Sequence, residues 1–345
     1  MYGDPTISWS IGLDVSIAEP VDAADLEERC GSLVTGRPNL GTRPVLGRFT
    51  ELEAPATLRG LLDSPYGDQD PLVRVTLAED GRRLLLAAHH GAVDGLGLLA
   101  ALGILIGEPV VSTASGIGDA PAQAGFLRSS AARLGEALFA PPDRLARGRV
   151  GHRAVERKDA GDVTARKDLP PSRVNTAGIA AAAVAAFAQW NVEQGGRSRR
   201  TVLAIGASRR DGKDARPDRD TAYLRVRLTG DLATEHVREA IAATSPEPSF
   251  PERPVGRWAG LLTRALRSRL GSSLLVSNLG LVEGSPRVER IAFFPSAAGP
   301  QALAVGVAST SSHTTLTVRL PAADFAPAAA EQLCSAIALD LDTVR

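Results

Sequence analysis

Cysteine, methionine, aromatic residues and histidine are all scarce in this chain of 345 residues: two Cys, one Met, 4% aromatics and five His. The two thiols, Cys30 and Cys334, lie near opposite ends and form no C-x-x-C pair. A thiolate zinc site and a dithiol redox motif are thereby excluded, and a reducing, cytoplasmic compartment is expected. An excess of charge is missing too. The 39 basic residues cancel the 39 acidic ones, leaving no electrostatic footprint for nucleic acid or an anionic membrane. Lysine is nearly absent, three against 36 arginines, which reads as the bias of a GC-rich genome rather than a built arginine surface. The longest apolar run, "LGLLAALGILIG" at 96–107, is too short to span a bilayer. The N-terminal "MYGDPTISWS" has neither a basic nor an apolar leader segment, so a soluble protein is expected. G-x-S-x-G, P-loop and G-x-G-x-x-G motifs are also lacking, which removes the nucleophile-elbow hydrolases and the commonest nucleotide folds.

What is present is ordinary globular material, 44% hydrophobic and 23% charged, long enough for about two domains. "TISWSIGLDVSI" (6–17) reads as a strand. "DAADLEERCGSLVTG" (22–36) reads as a helix with Leu26, Cys30 and Leu33 at helical spacing. "PLVRVTLAED" and "GRRLLLAAHH" are two strands joined at a turn, the second apolar almost throughout, as a strand covered on both faces must be. Helices are expected at 96–107, around 124–139, and over 175–196, 231–243 and 256–270, with a closing helix in "AAAEQLCSAIALDLDTV". Strands are expected in "TVLAIGAS", "AYLRVRLTG", "SSLLVSNLG", "VERIAFFPS", "ALAVGVAST" and "TTLTVRLP". The charged, proline-containing stretch within 108–172 reads as a crossover between two mixed α and β halves, 1–160 and 173–345.

The informative feature is "AAHHGAVDGLG" at 87–97. Two imidazoles at the end of a buried strand are costly unless something satisfies or uses them. Adjacent strand residues face opposite sides, so His89 and His90 cannot do the same work. A metal site would draw on the H-x3-D pair His90 and Asp94, but zinc wants a third protein ligand, and His152, His236 and His313 stand in unrelated contexts. No metal is therefore expected. What remains is a histidine acting alone as a general base, with a pKa near neutrality suited to deprotonating a hydroxyl or amine.

"HHGAVDG" (89–95) matches the H-H-x-x-x-D-G signature of the chloramphenicol acetyltransferase-like superfamily, which includes condensation domains, wax ester synthases and polyketide-associated acyltransferases. "NTAGIAAAAVAAFAQW" resembles the long helix opening that family's second lobe, and "LAIGASRRDG" its strand and arginine loop. "LLVSNLG" resembles the S-N-x-G segment of the acyltransferase branches. The resemblance implies an α/β fold of two similar lobes in a V around a central tunnel. It implies His90 as base with His89 packing beside it. Asp94 would pair with an arginine that the sequence does not single out, and Gly95 would leave room for an acyl thioester and offer its N–H. Ser277 and Asn278 would line the tunnel opposite His90. The chain departs from the family in being short, with 88 residues before the motif, and in carrying "SNLG" where other branches have D-F-G-W-G.

The function so implied is transfer of an acyl group to a hydroxyl or amine. The donor would be acyl-CoA or a phosphopantetheinyl carrier protein, with no bound cofactor and no acyl-enzyme. The alternatives are a freestanding condensation enzyme joining carrier-bound pieces through an amide, and a noncatalytic relative that binds a carrier protein or ligand.

Overall fold

The computed structural model describes residues 9–67, 69–122, 124–148, 161–171, 175–229, 233–248, 266, 269–296 and 301–343. The helix expected over 256–270 and His152 lie outside or almost wholly outside these residues.

The first sheet holds five strands. Its centre is β4 (Arg83–His89), flanked by β1 (Ser10–Ile17) and β3 (Val73–Ala78), with β10 (Val288–Phe294) and β2 (Leu46–Phe49) at the edges. The continuous apolar run of β4 is explained by cover on both faces. Leu84, Leu86 and Ala88 pack with Leu26, Cys30 and Leu33 of α1 (Ala23–Val34) and the leucines of α3 (Gly95–Ile106). Leu85 and Ala87 pack against Ala54, Leu58 and Leu62 of α2 (Ala54–Asp63). Each fully buried Leu contributes about 1.5–3 kcal/mol, so this strand is held in register from both sides. A one-residue slip would exchange the faces of His89 and His90.

The second sheet runs β6 (Asp162–Leu169), β12 (Thr314–Pro321), β11 (Leu303–Ser309), β9 (Leu274–Glu283), β7 (Arg200–Ser208), β8 (Thr221–Thr229), with β5 (Val111–Ser112) paired to β9. β9 is parallel to both β7 and β11. One face of this sheet, carrying Ile205, Val226, Val276, Val305 and Val318, is covered by α5 (Thr176–Gln194) and α7 (Pro327–Thr343). The alanine-rich sequence of α5 suits that burial, because small side chains let the helix lie close to the sheet. Asn175 caps its first turn by accepting from Gly178 N–H, and Gly195 ends it in the left-handed conformation. Two further α-helices, α4 (Phe126–Phe139) and α6 (Thr234–Ala242), and a 3-10 turn at Pro38–Leu40 complete the described elements.

The boundary drawn through the crossover does not coincide with the division of the sheets. β10, from the second half of the sequence, pairs antiparallel with β1 and belongs to the first sheet; Gly12 lies opposite Phe294 and Leu13 opposite Phe293. β6, at the end of the crossover, pairs with β12 in the second sheet. Periodicity within a strand cannot report which sheet it joins, and these exchanges lock the lobes together. Buried ion pairs reinforce them. Arg319 of β12, 1% exposed, lies 2.5 Å from Asp162 and donates to Ser10 O at 2.7 Å. Arg166 of β6 meets Asp14 of β1 at 2.5 Å. Ser10 is the residue paired with His89, so Arg319 braces the strand end that carries the motif.

Candidate active site

His90 follows the last residue of β4 and continues the face of Leu84, Leu86 and Ala88. Its backbone N–H donates to Trp9 O at 2.7 Å. Its Nδ1 lies 3.2 Å from the Val93 carbonyl, which can only accept, so Nδ1 carries the proton and Nε2 presents a lone pair. That lone pair accepts from the Tyr223 hydroxyl at 2.8 Å. Burial holds the His90 pKa below the ordinary histidine value, against the opposing effects of the Val93 hydrogen bond and the Asp94 charge. A neutral imidazole with Nε2 free of a proton is the form a general base requires.

His89 points to the other side. Its ring meets the Tyr66 ring edge-on at 5.1 Å, and its Nδ1 accepts from Gly91 N–H. Burial, the neighbouring His90 and Arg74 lower its pKa. The guanidinium of Arg74 lies 3.9 Å over the Tyr66 ring, so His89 sits in a packed aromatic and cationic corner.

Asp94 is the N-cap of α3 and accepts from Gly97 N–H at 2.8 Å. It is 4% exposed and meets Arg210, 6% exposed, at 2.6 Å; its second oxygen accepts from Asp220 N–H at 3.0 Å. Arg210 is therefore the arginine partner that the sequence could not single out. It comes from the loop between β7 and β8, and it also holds Arg216 O, Asp218 O and the Asp218 carboxylate. Every oxygen of Asp94 is committed to structure. Gly97 is fixed by the same loop, because a Cβ there would fall on the Asp218 carbonyl.

Gly95 does not face open space: a Cβ there would lie 2.6 Å from Leu279 Cδ2 and 3.2 Å from Phe293 Cζ. The room expected beside it is filled by side chains of β9 and β10. Its N–H, at the positive end of α3, has no partner among the described residues.

Ser277 and Asn278 fall inside β9, not in a turn between strands. Gly280, at φ +72, forms a bulge where the register to β11 shifts. As neighbours on a strand the two face opposite sides. Asn278 shares the helix-covered face with Val276, accepts from Gly280 N–H at 2.9 Å and donates to Thr176 Oγ1 at 3.3 Å. The expectation that it lines a site opposite His90 is corrected: its side chain is turned toward α5. Ser277 is on the lobe-facing side, in one cross-strand row with Gly206 and Tyr223; Gly206 pairs with both. Between them Gly206 offers no side chain.

Tyr223 was not anticipated. A signal existed in its rarity: the chain has three tyrosines, and both described ones, Tyr66 and Tyr223, contact the histidine pair. Of the remaining candidates, Cys30 and Cys334 are buried, and burial raises both thiols, Cys334 to about 12. Among the described residues no cluster of three His, Cys, Asp or Glu is placed to hold a metal ion, and no helix is long and apolar enough to cross a membrane.

Two α/β lobes, with a histidine at the end of the central strand of one aimed at the sheet of the other, define a class of two-lobed proteins. Solved structures give that class its particular form. The first condensation domain of the calcium-dependent antibiotic synthetase, in complex with a substrate analogue, aligns with 98% of this chain and 92% of its own at a TM-score of 0.63 and 19% identity. A starter condensation domain of rhizomide synthetase, in complex with C8-CoA and Leu-SNAC, aligns with 98% and 89% at 0.57 and 14%. The epimerization domain from the third module of tyrocidine synthetase B aligns with 99% and 93% at 0.53 and 13%. No family model matches the chain, and no curated protein matches it. The fold is that of the condensation domains, the chloramphenicol acetyltransferase-like fold.

Proposed function

We propose that this protein is an acyltransferase that moves an acyl group from a CoA or carrier-protein thioester to a hydroxyl or amine, with His90 as the general base. The observation that carries this reading is the fixed tautomer of His90: Nδ1–H is spent on Val93 O, and Nε2 is directed at the lobe-facing side of the second sheet. The likeness to condensation domains supports condensation or acyl-transfer chemistry, although an epimerization domain shares the fold, and fold alone does not select a reaction.

In this reading the acceptor attacks the thioester carbonyl directly. As the new C–O or C–N bond forms the acceptor loses a proton and His90 Nε2 gains one. The tetrahedral oxyanion is stabilised by Ser277 Oγ–H of β9 foremost, and second by the Gly95 N–H at the start of α3, which has no partner among the described residues. Collapse breaks the C–S bond, and the imidazolium returns its proton to the leaving thiolate. His89 packs, and Asp94 holds the loop through Arg210. No bound cofactor is required; the thioester is the substrate, and a carrier protein is the partner when the donor is carrier-bound. Incubation with labelled acyl-CoA and acyl-carrier libraries and a panel of alcohols and amines tests the reading, and separates ester from amide products. Binding without turnover across the whole set would leave the noncatalytic alternative.

A further inference from the structure

The Nε2 of His90 has a single lone pair, and Tyr223 already occupies it. A direct transfer of the acceptor's proton to Nε2 therefore requires the phenol to leave. The structure argues against its leaving. Tyr223 is the third residue of β8, whose ladder to β7 runs unbroken from Arg200 opposite Thr229 to Ser208 opposite Thr221. β8 is the edge strand, and on its other side the Tyr223 carbonyl accepts from Glu247 N–H at 2.8 Å, so the backbone that carries the ring is bonded along both edges. The phenolic oxygen keeps acceptor capacity after donating to His90. The cross-strand neighbour on one side is Gly206, which places no side chain beside it. The row then continues to Ser277, roughly two strand spacings, about 9–10 Å, from Tyr223. Ser277 Oγ leans over Gly206, 3.1 Å from where a Cβ there would stand, so the hydroxyl and the Tyr223 ring flank the one position of the row that has no side chain.

We propose that Tyr223 is the group that meets the acceptor, and that it relays the acceptor's proton to His90. This rests on the acyl-transfer reading above. As the acceptor oxygen or nitrogen bonds to the carbonyl carbon, its proton moves to Tyr223 Oη while the Tyr223 proton moves to His90 Nε2. On collapse of the tetrahedral intermediate the imidazolium proton returns through the same hydroxyl to the thiolate, and the tyrosine ends unchanged. No free tyrosinate is formed, which accords with a phenol whose pKa burial raises. The charged groups around the dyad are Asp94 and Arg219, and the other titratable one is the second imidazole, His89.

The test compares the wild-type protein with Tyr223→Phe, using acetyl- and octanoyl-N-acetylcysteamine thioesters and a panel of small alcohols and amines. The relay predicts a kcat lowered about 10- to 100-fold with the acceptor KM within about threefold. It also predicts a bowed proton inventory in the wild type that becomes linear in Tyr223→Phe, a change no packing defect produces. A kcat that is retained or raised together with a lower acceptor KM overturns it, because the hydroxyl would then only be displaced. If the wild type transfers no acyl group, the acyl-transfer reading fails, and ring titration by nitrogen-15 NMR decides the dyad separately. A hydroxyl donating to neutral His90 must hold its midpoint lower than in Tyr223→Phe. Equal midpoints in the two proteins overturn the proposal.

Discussion

The carboxylate of Asp94 and the guanidinium of Arg210 meet at 2.6 Å in the interior, 116 residues apart in sequence, and tie the histidine loop to the loop between β7 and β8. Removing one partner of such a pair leaves an uncompensated buried charge, at a cost of about 3–5 kcal/mol. Asp94→Ala is expected to lower Tm and abolish activity together, since Gly97 N–H and Asp220 N–H also lose their acceptor. A thermal melt beside an activity assay checks it. A variant with wild-type Tm and no turnover would assign Asp94 to the chemistry instead.

His90→Ala is expected to lower turnover about 10²- to 10⁴-fold with the fold intact, and His89→Ala to act mainly on stability through the lost Tyr66 contact. The pH profile has a defined sign. Because the base is the neutral imidazole and its pKa lies below the ordinary 6.5, kcat should rise with pH to a plateau, with a midpoint under 6.5. The same depression makes the unfolded chain bind more protons. Both histidines therefore contribute stability that is full above pH 6.5 and declines as pH falls through their folded midpoints. Rate profiles and denaturant melts across pH 5–8 measure the two effects.

Ser277 and Asn278 should separate. Ser277→Ala removes a hydroxyl on the lobe-facing side of the second sheet and is expected to cost about 10²-fold in kcat, the scale of one oxyanion donor, with Tm unchanged. Asn278→Ala removes the hydrogen bonds at the Gly280 bulge and to Thr176, and is expected to lower Tm by the loss of about 1 kcal/mol per bond. The reverse pattern would place Asn278 in the site.

Asp63 stands beside Asp162 and Arg319 at the junction of the lobes, and burial foremost, with the Asp162 charge, pushes its pKa up to about 6. A folded value above the unfolded 3.8 means the folded state binds more protons. This group therefore favours folding below about pH 4, and its contribution is lost as pH rises through about 6. Asp63→Asn, which can still accept from Asp162 N–H, should raise stability at pH 7 by on the order of 1–3 kcal/mol and leave it unchanged at pH 4. Urea melts at the two pH values decide it.

Donor and acceptor should need to be bound together. Both cysteines are buried and their thiols shifted upward, so neither offers a thiolate to carry the acyl group. Initial-rate lines at several acceptor concentrations are expected to intersect, and incubation with donor alone to leave the intact mass unchanged. Parallel lines, or a mass gain equal to the acyl group, would show an acyl-enzyme.

Much of the fold was legible locally. The apolar run ending in His89 and His90 predicts a central strand and opposed histidines, because burial on both faces and a two-residue period are properties of a single segment. The same period separates Ser277 from Asn278; treating their segment as one tunnel-lining motif put both on a single face, whereas adjacent strand residues alternate. The helices that begin at Gly95 and Thr176 are announced by their caps, Asp94 and Asn175. Tertiary structure alone decided which of 36 arginines meets Asp94, that a tyrosine 133 residues away occupies His90, and that β10 closes the first sheet while Leu279 and Phe293 fill the space beside Gly95. Those pairings depend on how strands distant in sequence are brought into register. A residue's own neighbourhood specifies its element and the face it occupies, but the group opposite that face is set by the packing of the whole chain.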